Sequence, residues 1–109
     1  MDLVFLVQGS AAEPYRVTFR AHEGGVQMLC TCDAAAIGTH CKHRLRLLQG
    51  EATDIVSDNA ASVGVLVERL AGTALARALT ELVEAETAAE QAKRRVAAAK
   101  KALARAMTG

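Results

Sequence analysis

The chain has 109 residues, which is enough for one compact domain or for a small domain with an appended segment. Hydrophobic residues make up 51% of it, but much of that share is alanine, and aromatic residues are only 3%. A net charge of +1 provides no overall field that would draw the chain to nucleic acid or to an anionic membrane. No apolar run is long enough to span a bilayer and no signal peptide is recognisable, so we expect a cytoplasmic protein without a membrane segment.

The first half of the sequence predicts a sheet of three strands. Leu3–Val7 is a short apolar run, which is typical of a buried strand. Tyr15–Arg20 strictly alternates apolar and polar side chains, as a half-buried strand does. Residues 23–25 have the composition of a turn, and residues 26–30 return as a third strand. Because the links are short, we expect the strands to run antiparallel.

All three cysteines of the chain lie near one histidine, and together they form the set Cys30, Cys32, Cys41 and His43. Three thiolates and one imidazole make a standard closed zinc site. An odd number of cysteines in a reducing compartment favours a metal over disulfides. We therefore predict one structural Zn²⁺ ion bound by these four side chains, with an iron–sulfur cluster as a less usual alternative. His40 is the competing fourth ligand, but the Cys-x-His spacing favours His43.

The spacing of these residues has a structural reason. Residues two apart on an extended strand share a face, so Cys30 and Cys32 are able to grip one ion from the end of the third strand. A short helix predicted over residues 42–49 places Cys41 at its N-terminus, where the helix dipole favours a thiolate. His43 then falls in the first turn of this helix, close enough to bind the same ion.

This pattern resembles the SWIM zinc finger, as small stand-alone bacterial or phage proteins carry it. The likeness consists of Cys-x-Cys, a short gap that contains Gly38, and Cys-x-His, preceded by the strand Tyr15–Phe19, and it covers about residues 3–50. One departure is the run of alanines at 34–36, where the family often has a bulky residue. The resemblance implies a role in binding DNA or another protein.

Catalysis is not expected from this sequence. Catalytic zinc keeps one coordination position open for water, whereas four protein ligands would close the shell. The rest of the chain offers no Ser-His-Asp set, no carboxylate pair and no glycine-rich phosphate loop.

The second half of the sequence predicts two helices. Residues 57–59 are helix-capping types, and an apolar face at i, i+3, i+4 and i+7 follows, which predicts a short helix over about 58–71. Gly72 ends it, and Thr73 is able to cap a second helix over about 73–107. This segment contains no glycine or proline and would form a helix roughly 50 Å long. The sequence therefore predicts an α+β protein: a zinc finger with a small three-stranded antiparallel sheet and a short helix over 1–50, then a helical region over 51–109 whose long helix protrudes.

The long helix carries a heptad pattern. Apolar residues form one stripe in which every second member is alanine, and the stripe consists of Leu75, Ala78, Leu82, Ala85, Ala89, Ala92, Val96, Ala99, Leu103 and Ala106. Acidic residues precede Ala92 and basic residues follow it, which favours an antiparallel coiled-coil-like homodimer over a parallel one. The simpler interpretation is that alanine is frequent because it forms helices well, and that the charges are a solvated face.

Two functions are compatible with these features. The first is a zinc-stabilised interaction module that dimerises through the long helix and docks a protein partner. The second is DNA binding through basic residues on the finger, namely Arg16, Arg20, Lys42, Arg44 and Arg46, and through the basic end of the long helix. The near-neutral charge and the lack of aromatic side chains for base stacking favour the first.

Overall fold

A computed structural model describes all residues from Met1 to Gly109. The elements in chain order are the strands β1 (Asp2–Val7), β2 (Tyr15–His22) and β3 (Gly25–Cys30) and the helices α1 (Asp33–Ala36), α2 (Lys42–Leu48), α3 (Val63–Leu70) and α4 (Ala74–Thr108). The predicted α+β class, with a three-stranded antiparallel sheet and a long C-terminal helix, is confirmed. The chain forms two compact units, Met1–Ala76 and Arg77–Gly109.

The sheet has the order β1-β2-β3, with both pairs antiparallel. Residues directly opposite each other in such a sheet point to the same face. Phe5 lies opposite Val17, and Val17 in turn lies opposite Cys30. Phe5, Val17 and Phe19 are fully buried. The alternation predicted for the second strand therefore creates one apolar face, and the register places the first cysteine on that face.

Helices α2 and α3 supply the rest of the hydrophobic core. Leu47 of α2 and Leu66 and Leu70 of α3 are buried in the same cluster as Phe5 and Phe19 of the sheet. In α3 the buried positions are three and four residues apart, which is the spacing of one helical face. The residues after Gly50 thus contribute to the core that covers the sheet.

The segment between α2 and α3 runs along the open edge of β1. The Val56 amide donates to the Leu6 carbonyl at 2.8 Å, and the Leu6 amide donates to Ser57 Oγ at 3.0 Å. The side-chain amide of Asn59 donates to the Val4 carbonyl at 2.7 Å. These bonds satisfy backbone groups that an edge strand would otherwise leave unpaired.

Helix α3 begins later than the sequence predicts. Residues 57–59 were expected to cap a helix over about 58–71, but Ser57 and Asn59 use their side chains to bond β1 instead. A 3₁₀ turn occupies Ala60–Ser62, and the α-helix starts at Val63 without a side-chain cap.

Helix α4 runs for 35 residues from Ala74 to Thr108, within one residue of the predicted bounds at each end. Gly72, with a φ of +77°, ends the preceding turn in a conformation that suits glycine. Thr73 then caps α4, because its Oγ1 accepts a hydrogen bond from the Ala76 amide. Every residue from Val83 onward is exposed. None of the helices, α4 included, combines the length and the apolar character needed to cross a membrane.

Candidate metal centre

The four side chains singled out by their spacing come together in the structure. The set consists of Cys30, Cys32, Cys41 and His43, and their ligand atoms all lie within 4.8 Å of one another. Three of the four are almost completely buried, at exposed fractions of 5% for Cys32, 5% for Cys41 and 7% for His43. The cysteines are free thiols. The arrangement is a compact, buried Cys₃His cluster.

The chain segment around Cys30 and Cys32 remains extended, as the spacing predicts. β3 ends at Cys30, and the Thr31 amide donates to the Arg16 carbonyl at 3.2 Å, so the chain still follows β2. Cys32 has a φ of −74° and a ψ of 165°, which is extended backbone. One extended residue, Thr31, therefore separates the first two thiols, so both point to the same side of the chain.

Cys32 and Cys41 come close together because the chain between them folds back on itself. The alanines at 34–36 belong to the one-turn helix α1, which the sequence analysis did not predict. Gly38 follows with a φ of +81°, a left-handed conformation that glycine adopts without strain. Thr39 Oγ1 donates to the Ala34 carbonyl at 2.9 Å and closes the loop. This closed loop returns the chain to the N-terminus of α2.

One distance in the cluster is close to that expected between two ligands of a tetrahedral metal ion. The Sγ atom of Cys30 lies 3.9 Å from Nδ1 of His43. Zinc–sulfur bonds of about 2.3 Å and zinc–nitrogen bonds of about 2.0 Å place two ligand atoms of a tetrahedron about 3.5–3.8 Å apart. The chemistry of the donors also fits, because thiolates and imidazole are preferred ligands of zinc and related metals. The cluster is therefore compatible with metal binding, without defining which metal.

His43 presents its two ring nitrogens to different surroundings. Nδ1 faces Cys30, whereas Nε2 is buried and has no hydrogen-bond partner. The ring packs against Tyr15, with ring centroids 4.6 Å apart and planes tilted by 43°. The orientation of this ring is therefore fixed by packing, because neither ring nitrogen bonds a carboxylate or a carbonyl. An unsatisfied buried nitrogen costs about 1–3 kcal/mol, which other interactions of the ring must offset.

The surroundings of His43 also favour its neutral form. Burial, together with the positive charges of Lys42 and Arg46, lowers the pKa of the imidazole. Only a neutral imidazole has a lone pair to give to a metal. His40, the competing ligand in the sequence, is exposed and lies outside the cluster.

Arg44 is tied into the cluster. Its Nε donates to Cys41 Sγ at 3.2 Å, and its backbone amide donates to the same sulfur at 3.4 Å. The guanidinium also donates to the Met28 carbonyl at 3.2 Å and to the Thr39 carbonyl at 2.6 Å. One side chain therefore links β3, the loop before α2 and the third thiol. The sequence analysis missed this role and named Arg44 only as a nucleic-acid contact.

The thiols differ in how readily they ionise. Burial raises the pKa of Cys30 to about 12, and the nearby sulfurs of Cys32 and Cys41 add to the increase. Burial also acts to raise the pKa of Cys41, but the hydrogen bonds from Arg44 outweigh it and lower that pKa below its ordinary value. Three neighbouring thiolates repel one another, so a cation among them stabilises the ionised set.

The other basic residues named for nucleic acid have varied surroundings. Arg20 forms an ion pair with Asp2 at 3.6 Å, and Arg46 forms one with Asp54. Arg16 on β2 and Lys42 on α2 have exposed side chains. The sequence could not distinguish these cases, because both carboxylate partners lie in other segments of the chain and meet their arginines only in the folded structure.

Gly9 lies directly against the rings of Tyr15 and His43, where a larger residue would not fit. A Cβ atom at this position would lie 2.6 Å from a Tyr15 ring carbon and 2.9 Å from His43 Nε2. We expect Gly9→Ala to destabilise the metal-loaded protein by about 1–3 kcal/mol, because the two rings must move apart. Unfolding by urea, followed by circular dichroism, measures this change.

Gly64→Ala is the matched control for this substitution. A Cβ there would meet no atom within 4 Å, and the position lies inside α3, so we expect alanine to stabilise the protein by about 0.5–1 kcal/mol. Equal unfolding midpoints for the two variants would contradict the proposed role of Gly9.

No protein-family model matches the chain, and searches of curated proteins and of solved structures found no match. The likeness to the SWIM zinc finger therefore depends on the motif and on the Cys₃His cluster alone.

Proposed function

We propose that the chain is a non-catalytic, zinc-stabilised interaction module of the SWIM type. The observation that carries this proposal is the buried Cys₃His cluster, whose four ligand atoms lie within 4.8 Å of one another. A Zn²⁺ ion bound by all four would have a complete tetrahedral shell, with no position for a reactive water. Zinc is favoured over an iron–sulfur cluster because three cysteines and a histidine are a common structural zinc set and an unusual cluster set.

The role of the ion in this proposal is structural. Its ligands come from the end of β3, the residue before α1 and the start of α2, so one ion would join the sheet to the helix that covers it. A hydrophobic core of eight buried apolar side chains is small for a stable domain, and small domains commonly add a metal for this reason.

The module is proposed to dimerise through the long helix and to bind another protein. The net charge of +1 supports a protein partner over a polyanion.

Nucleic-acid binding is the second candidate, and the exposed side chains of Arg16 and Lys42 favour it. Its support is reduced because Arg44 is engaged with Cys41, and Arg20 and Arg46 pair with carboxylates. The aromatic residues offer no stacking platform either, since Phe5 and Phe19 are buried and Tyr15 packs on His43.

Elemental analysis combined with a binding titration tests the proposal. We expect about one equivalent of zinc per chain in freshly purified protein, as a single closed site requires. In a fluorescence polarisation titration with duplex and single-stranded DNA, we expect no salt-dependent binding. Cooperative melting with far less than one equivalent of metal would contradict the zinc module. Salt-dependent binding that Lys42→Ala weakens would favour the second candidate.

A further inference from the structure

The second compact unit is a helix whose apolar stripe has no partner within the unit. Along α4, Val96 is 53% exposed and Leu103 is 60% exposed, on the same stripe as the alanines at 85, 92 and 99. No residue of α4 is fully buried. A single amphipathic helix gains most of its stability in proteins by packing its apolar face, so this stripe predicts a partner.

The charges of α4 are divided between its two halves. The half before Ala92 contains four acidic residues and one basic residue, Arg77, whereas all charged residues of the half after it are basic; they are Glu81, Glu84, Glu86 and Glu90 in the first half and Lys93, Arg94, Arg95, Lys100, Lys101 and Arg105 in the second. One i, i+4 ion pair links Glu90 to Arg94 at 3.6 Å. A second copy in the opposite direction would present its basic half to this acidic half, whereas a copy in the same direction would oppose like charges.

We propose that the partner of α4 is α4 of a second copy, packed antiparallel in one register, with Ala89 of each chain opposite Ala92 of the other. This inference rests on the dimerisation in the proposed function and specifies its direction and alignment. In this register Leu82 faces Ala99, and Val96 faces Ala85. Each larger side chain therefore meets a small one, which lets the helices approach toward the close end of the usual distance of about 8–10 Å.

The charges and the length of the overlap together select this register from its neighbours. Glu86 flanks the stripe and lies between the levels of Lys93 and Lys100 of the other copy. A shift of seven residues in one direction would bring Glu86 of one copy close to Glu86 of the other. A shift in the opposite direction would leave Glu86 near Lys100 of the other copy but would shorten the overlap of the helices. The proposed alignment therefore keeps the large-to-small packing and the opposite charges together.

The alignment has a consequence for the module. With a rise of 1.5 Å per residue, the Arg77 residues of the two copies lie about 40 Å apart along the helix pair. The two Met1–Ala76 units are then attached at opposite ends, and a dimer of this kind would be able to engage two separated sites on its partner.

Distance measurements on the full-length, zinc-loaded protein test this inference. Thr87 and Lys101 lie on the same outer face of α4, two heptads apart, and a genetically encoded azide at either position accepts a spin label without touching the thiols. In the proposed register the two labels of a dimer are offset along the axis by about 10 Å at position 87 and by about 32 Å at position 101. The distance at position 101 is therefore expected to be clearly longer. Equal distances at both positions would overturn the antiparallel register while leaving dimerisation intact.

A pair of charge variants tests the same inference by affinity. Glu86→Lys places a positive charge beside the lysines of the other copy twice per dimer, and we expect the dissociation constant measured by sedimentation to rise about tenfold. Glu84→Lys makes the same change on the outer face and is expected to leave it nearly unchanged. Equal effects of the two variants, or a monomer at tens of micromolar wild-type protein, would overturn the inference. Zinc content is measured independently, so a monomer that binds zinc refutes the dimer and not the zinc site.

Discussion

Replacing Cys41 by serine is expected to unfold the unit Met1–Ala76. The substitution removes one of the four proposed ligands and also the sulfur that accepts two hydrogen bonds from Arg44. Structural zinc supplies on the order of 10 kcal/mol to small folds, which is comparable to the whole stability of a typical domain at about 5–15 kcal/mol. The loss of dispersed amide signals from the three strands in a ¹H–¹⁵N correlation spectrum is the measurement, with zinc content determined in parallel.

The two neighbouring histidines provide a matched control for this prediction. His43→Ala removes a ligand-type residue that is 7% exposed, whereas His40→Ala removes an exposed residue outside the cluster. We expect His43→Ala to weaken zinc binding and lower the unfolding temperature strongly, and His40→Ala to change stability by less than about 0.5 kcal/mol. If α4 is paired with a second copy, its helical signals persist in all three variants. An unchanged strand spectrum in Cys41→Ser, or after chelation of the wild-type protein, would refute a structural role for the metal.

The position of the cluster was predictable because its determinants are local. Cys30 and Cys32 are two residues apart on extended chain, and Cys41 and His43 are two apart at the start of a helix. Short-range geometry of this kind is visible in a sequence because it depends only on the period of each element.

The support around the cluster was not predictable, because it depends on contacts between distant segments. Arg44 holds the Met28 and Thr39 carbonyls, and no local pattern shows that these carbonyls lie within its reach. Ser57 and Asn59 had the composition of helix caps, yet the unpaired edge of β1 uses both. Polar side chains of this type serve either purpose, and the tertiary structure decides which.

Leu66→Ala is the strongest test of how far the zinc-stabilised unit extends along the chain. The sequence predicts a division after Gly50, which stays a prediction, whereas Leu66 of α3 is fully buried in the cluster that contains Phe5 and Phe19 of the sheet. Truncating a leucine at such a site costs about 2–5 kcal/mol. We therefore expect urea unfolding of the metal-loaded protein to shift to lower concentration, with strand and α3 signals lost in one transition.

Val67→Ala is the control, because Val67 lies on the same helix and is 40% exposed. Its cost is expected to stay within about 0.5 kcal/mol, as for other surface substitutions. The informative result is the coupling between the two parts of the unit. If the strands of Leu66→Ala kept the wild-type midpoint while α3 melted early, the finger would be stable without α3 and the division after Gly50 would hold. A single shifted transition would instead mean that the metal, the sheet and α3 stabilise one another, because the zinc ligands and Leu66 act on the same small core.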